Sequence, residues 1–183
     1  MDSRKALTIL VAATLAAWSF QTSADADSGY PAIAEANALE TCTTADVRAW
    51  RIIRVGEASL ALDDCSEISH PFSAPFRLRF SYQRDIPGDA FRESSLAMLE
   101  RNLDEKAYAE LKARFEQFNQ GYVDTGDGDT YQLSLGTEGD FILSFNERVI
   151  AREKGEDFAN AYLQIWFGEK PFSGSLKDNL LDR

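Results

Sequence analysis

The chain has 183 residues, a formal net charge of −11 and two cysteines. That length makes one domain the default and leaves enough chain to bury a real core. The acidic balance excludes a nucleic-acid binder built on phosphate contacts, which needs a basic footprint, and a protein held electrostatically on an anionic membrane.

Arg4 and Lys5 precede an apolar run from Ala6 to Phe20, and small residues follow at Thr22-Ser23-Ala24 and Ala24-Asp25-Ala26. This order predicts a secretory signal peptide over residues 1–24, cleaved after Ala24 or Ala26. The run is short for a membrane span, which takes about 20 residues, so no stable membrane insertion is expected after cleavage. A periplasmic or secreted location would let Cys42 and Cys65 pair. The loop they close is worth about 3 kcal/mol in a chain-entropy account. The alternative is two separate buried thiols. His70, the only histidine, has no partner at ligand spacing, so no metal site is expected. Residues 25–38 are small and polar without a period and are expected to be a flexible lead-in to a domain over 39–183.

Val47 to Val55 and Glu57 to Leu62 look like two strands around Gly56. Arg48, Arg51 and Arg54 recur every three residues, which is not a strand period, and a bulge or bend would reconcile them. From Phe76 the pattern alternates cleanly. Phe76, Leu78, Phe80 and Tyr82 share one face, while Arg77, Arg79 and Ser81 share the other. Pro87-Gly88 then opens a helix that carries Phe91, Ser94, Ser95, Met98, Leu99 and Asn102. Asp104 caps a second helix over Glu105 to Asn119, with Tyr108, Leu111, Phe115 and Phe118 on one stripe. The acidic loop Asp124 to Asp129 fails the helix-loop-helix calcium spacing and reads as a solvated turn. Strands follow over Thr130–Leu135, Asp140–Phe145 and Arg148–Arg152. Helices follow over Glu156–Phe167 and, capped by Ser173, over Gly174–Leu181. Segregated runs of strands and helices predict an α+β fold with an antiparallel sheet.

Three blocks resemble the bacterial exported branch of the chalcone isomerase-like proteins. They are Trp50 to Leu60 (WRIIRVGEASL), Phe76 to Asp85 (FRLRFSYQRD) and Phe158 to Leu176 (FANAYLQIWFGEKPFSGSL). The resemblance implies an open-faced β-sandwich, with helices layered on one face of the sheet and a cleft between the two layers. In plant members that cleft closes a chalcone to a flavanone without a cofactor, using an arginine, a threonine, a tyrosine and an asparagine. Related non-catalytic members bind fatty acids. Here Arg48, or Arg51, falls at the arginine position. The other three positions fall on Gly56, Phe91 and Met98, which have lost the polar groups.

An apolar slot of Phe91 and Met98 facing one cation, Arg48 or Arg51, suits an amphiphile with an anionic head such as a fatty acid. No cofactor is expected. Two other readings stay open: an isomerase on an unknown substrate that recruits Tyr82, Ser94 or Ser95, and an interaction protein with a filled cleft. The oligomeric state is not legible from the sequence. Other chemistry is excluded: one histidine and no G-x-S-x-G leave no hydrolase triad, and no phosphate loop is present.

Overall fold

A computed structural model describes residues 29–49, 52–68 and 72–182. The expected signal peptide, Arg51 and His70 lie outside the described residues. Among the described residues no helix is long and apolar enough to cross a membrane.

Six strands form one antiparallel sheet in sequence order. They are β1 (Thr41–Ala49), β2 (Ile53–Leu62), β3 (Phe76–Tyr82), β4 (Thr130–Leu135), β5 (Asp140–Phe145) and β6 (Arg148–Lys154). Helices α2 (Gly88–Asn102) and α3 (Glu105–Asn119) connect β3 to β4. Helices α4 (Glu156–Phe167) and α5 (Gly174–Leu180) follow β6. This is the expected α+β open-faced sandwich.

The alternation read in β3 holds in space. Phe76, Leu78, Phe80 and Tyr82 are buried under the helices, and Arg77 and Arg79 turn to the opposite face. The helix caps also hold: the carboxylate of Asp104 accepts from Ala107 N at 2.9 Å, and the hydroxyl of Ser173 from Leu176 N at 3.2 Å. Rings from α3, α4 and β5 pack at one end of the sandwich. Phe118 and Tyr162 lie 4.9 Å apart by centroid, and Phe115 and Phe158 5.3 Å apart. All four are essentially buried. Pairs of this kind add about 0.5–1.5 kcal/mol each beyond the area they bury.

Two expectations need correction. Gly56 does not divide two strands; it lies inside β2, which begins at Ile53, while β1 ends at Ala49. A Cβ at Gly56 would stand 2.1 Å from the Ser81 carbonyl oxygen, so glycine serves a close approach of β2 to β3 and not a turn. The bulge or bend expected from the arginine spacing is present. Arg48 and Arg54 are cross-strand partners on the hairpin, beside a register shift at Val47/Arg48. Like charges directly opposite are unfavourable. Asp46 bridges them, 2.8 Å from each.

The expected flexible lead-in also differs. Pro31–Ala38 forms a helix, α1, across the arginine face of the sheet. Its apolar side is only Ala32, Ile33 and Ala36, too small a stripe to stand out in sequence. The sheet supplies the fit, because a Cβ at Gly136 would meet that of Ala32 at 2.5 Å. Glu35 accepts from Thr137 N at 2.7 Å, and Arg77 donates to the Ala36 carbonyl at 3.0 Å. A cation there complements the negative end of the helix.

Cys42 and Cys65 form a disulfide that ties the start of β1 to the turn after β2. Such a bond belongs to an oxidising compartment.

Candidate ligand-binding cavity

The apolar face of the sheet and the helices above it do not meet everywhere. A cavity of about 420 Å³ lies between them. Its sheet wall includes Val47, Val55, Phe80, Tyr82 and Leu133, and its helix wall includes Phe91, Ser95 and Met98 of α2 and Trp166 of α4. The volume falls within the range of small-molecule sites, roughly 300–1,000 Å³.

Helix α2 is held at both ends by polar contacts to loops. The Gly88 amide donates to the Asp124 carboxylate at 2.8 Å, and Arg92 donates to the Tyr122 carbonyl. At the other end Asn102 donates to the Lys170 carbonyl at 2.8 Å and accepts from Lys170 N at 2.8 Å. Arg101 donates to the same carbonyl at 2.7 Å.

Phe91 is the hub of a ring cluster. It stacks on Tyr122 at 5.5 Å and meets Tyr82 and Tyr131 edge-on at 5.4 and 5.2 Å. The three phenols differ in what they have left to give. Tyr131 donates to the Val123 carbonyl at 2.7 Å and accepts from the Val123 amide at 2.8 Å, so its hydroxyl is fully engaged. Tyr122 meets Tyr162 at 3.1 Å, and Tyr162 donates to the Asn119 side-chain oxygen at 2.5 Å. Tyr82 has no hydrogen-bond partner for its hydroxyl among the described residues. Burial raises the pKa of each. It pushes Tyr131 up to about 12 and Tyr82 and Tyr162 well above the usual phenol value. Near neutral pH these groups are donors and not bases.

Arg84 and Asp85 line the mouth, and Phe172, 44% exposed, stands at the rim. Arg84 follows Tyr82 by two residues. It forms no ion pair among the described residues.

The candidate residues divide. Phe91 and Met98 both line the cavity. Arg48 does not: it points away from the Val47 face, pairs with Asp46 and lines a polar groove with Ser175 and Asn179 beside α5. Arg51 lies outside the described residues. Of the polar groups considered for catalysis, Tyr82, Ser94 and Ser95 all reach the cavity. Ser94 donates back to the Ala90 carbonyl at 2.6 Å, and Ser95 sits close to the Tyr122 and Tyr162 phenols. Sequence reading missed Arg84, Tyr122 and Tyr131 as lining groups. Tyr131 carried a signal, since it occupies an apolar-face position of an alternating strand; Tyr122 lies in a connecting loop and carried none.

A profile of chalcone isomerase-like proteins matches residues 45–182. The chain belongs to the chalcone isomerase-like family. Its fold is also that of an Arabidopsis thaliana fatty-acid binding protein solved by crystallography. The likeness covers 76% of this chain and 83% of that one, with a TM-score of 0.52 and 16% sequence identity. No curated protein sequence matches the chain. Within the chalcone isomerase-like fold, the cavity occupies the sheet–helix cleft, and Phe91 and Met98 give it an apolar wall where polar residues were expected from the resemblance. The close approach of Ser81 leaves no room for a threonine at Gly56.

Proposed function

We propose that this protein is an exported, non-catalytic binder of a single-chain amphiphile, a fatty acid in the first instance, held in the sheet–helix cavity. The observation that carries the reading is a largely apolar cavity between sheet and helices, with a phenol, Tyr82, unpartnered among the described residues and one cation at its mouth, Arg84. The tail would lie against Val55, Phe80, Met98 and Trp166. The carboxylate would take the Tyr82 proton donor and the Arg84 guanidinium. At about 30 Å³ for each water-sized group, a methylene included, 420 Å³ holds about 14 such groups, a medium-length acyl chain. The fatty-acid binding protein of the same fold supports the choice of ligand.

The non-catalytic part of the reading rests on the same walls. The described polar groups of the cavity are neutral phenols, serines with neighbours of their own, the Trp166 indole, and Arg84 and Asp85 at the mouth. Oxyanion stabilisation needs several donors converging where charge develops, and among the described phenols and serines of the cavity Tyr82 alone is unpartnered. The disulfide and the expected signal peptide support export.

The test is titration of the purified protein with octanoate through hexadecanoate, read by calorimetry and melting temperature. Saturable one-to-one binding that peaks near dodecanoate or tetradecanoate is expected. Tyr82→Phe removes a charge-assisted hydrogen bond worth about 1.5–3 kcal/mol, so carboxylate affinity falls by about one to two decades. Dodecanol, which lacks the charge, loses less. No binding and no melting shift at any chain length would overturn the reading.

A further inference from the structure

The arginine face of the sheet holds a second, separate space. Between α1 and strands β3–β5 lies a polar cavity of about 200 Å³, lined in part by Asn37, Arg77, Arg79, Gln132, Ser144 and Glu147. It is on the far side of the sheet from the amphiphile cavity. Arg79 lies between Leu78 and Phe80, and Ser144 between Leu143 and Phe145, so strand alternation turns both away from the apolar face.

Arg79, Gln132 and Ser144 form one cross-strand row, each directly opposite the next. Their neighbours leave two donors unused. Arg77 is engaged with the Ala36 carbonyl and the Thr41 hydroxyl. Gln132 spends its amide protons on Asn37 at 2.9 Å and Ser134 at 3.0 Å. Arg79 forms no hydrogen bond or ion pair through its side chain among the described residues. The Ser144 hydroxyl, in a residue 3% exposed, has no partner at all among them. A buried unpaired hydroxyl costs about 1–3 kcal/mol, and two adjacent guanidinium groups repel one another. Burial, and after it the charge of Arg79, lowers the pKa of Arg77. An anion placed between Arg79 and Ser144 relieves both costs at once.

We infer that this cavity binds a small oxyanion, with the Arg79 guanidinium and the Ser144 hydroxyl as its donors and the Asn37 end of α1 as its cover. At about 30 Å³ per water-sized group the space holds roughly six, enough for acetate or inorganic phosphate and too little for an acyl chain. Glu147 at the rim brings a negative charge, so a singly charged carboxylate suits the site better than a phosphate dianion. This inference is independent of the amphiphile reading, because the two cavities share no lining residue.

Backbone amide NMR titrations with acetate and with inorganic phosphate, in low-salt buffer, test it. Neutral acetamide, of nearly the same shape as acetate, is the control. Saturable shifts at residues 79, 132 and 144 are expected with acetate, about tenfold weaker in Arg79→Gln, and none with acetamide. Glu147→Gln tightens phosphate more than acetate. Ser144→Ala separates binding from folding. Without anion it melts no lower than the parent, since it removes an unpaired buried group, while its anion-induced rise in melting temperature shrinks. No saturable shift with either anion, equal shifts with acetamide, or acetate affinity unchanged in Arg79→Gln would overturn the inference; water then fills the space.

Discussion

Replacing Gly56 by alanine tests how β2 and β3 are brought together under the cavity. A Cβ there would stand 2.1 Å from the Ser81 carbonyl oxygen and 3.2 Å from the Tyr82 Cα. A carbon–oxygen contact needs about 3.3 Å, so the strands must part locally by about 1 Å. The neighbouring atoms are backbone, which cannot swing aside as a side chain can. Overpacking of this kind costs about 1–3 kcal/mol and occasionally more. At about 2–4 °C per kcal/mol for a domain of this size, melting should fall by about 2–12 °C. Circular dichroism on heating measures this directly. Gly174→Ala is the control, because nothing lies within 4 Å of its added carbon; it should be neutral or slightly stabilising. Gly56 pairs with Tyr82 in the ladder, so Gly56→Ala should also weaken dodecanoate binding. A variant that melts within about 1 °C of the parent would refute the close-approach argument. A stable Gly56→Thr would refute it more sharply, since that change restores the hydroxyl expected from the family resemblance.

Two further outcomes follow from the fold. Serine at both Cys42 and Cys65 should cost about 3 kcal/mol, since the bond closes a loop of 23 residues in separation; the same loss should appear in the parent under reductant, and an unchanged urea midpoint would sink the estimate. The buried phenols set an alkaline limit. Their folded pKa values are raised above the usual value near 10, so the stability they contribute is present below pH 10 and is lost as pH climbs toward about 12, the value reached by Tyr131. Urea midpoints measured at pH 9 and pH 11 should therefore fall with pH, and equal midpoints would contradict the burial account.

Much of the fold was legible because it rests on local periodicity. The Phe76–Tyr82 alternation, the Tyr108–Phe118 stripe and the Asp104 and Ser173 caps each need only a few neighbouring residues to be read. What failed needed a distant partner. Gly56 looked like a break because its reason is a carbonyl on β3, twenty-five positions away in the chain. The bend expected from the arginine spacing is there, as a register shift at Val47/Arg48, but the Asp46 carboxylate shared by Arg48 and Arg54 was not legible. Helix α1 looked mobile because its buried face is three small residues whose match is Gly136 and Ile142. In the cavity, Phe91 and Met98 were within reach of family resemblance. The cation was not: Arg48 lies in β1 and lines a polar groove beside α5, while Arg84 lies just past the end of β3 at the cavity mouth.

The two-ended attachment of α2 bears on selectivity. A helix pinned at Gly88 and Arg92 on one side and at Arg101 and Asn102 on the other behaves as a beam fixed at both supports. Between those supports the face that carries Phe91 and Met98 toward the cavity can change shape by rotating side chains but not by swinging outward. A space bounded in that way acts as a ruler. Affinity should rise with each added methylene until the cavity is full and then drop abruptly, where a hinged lid would give a broad plateau. Asp124→Ala removes one support, and a cut-off that moves to longer chains in that variant is the expected sign; an unmoved cut-off would place the limit in the sheet wall instead.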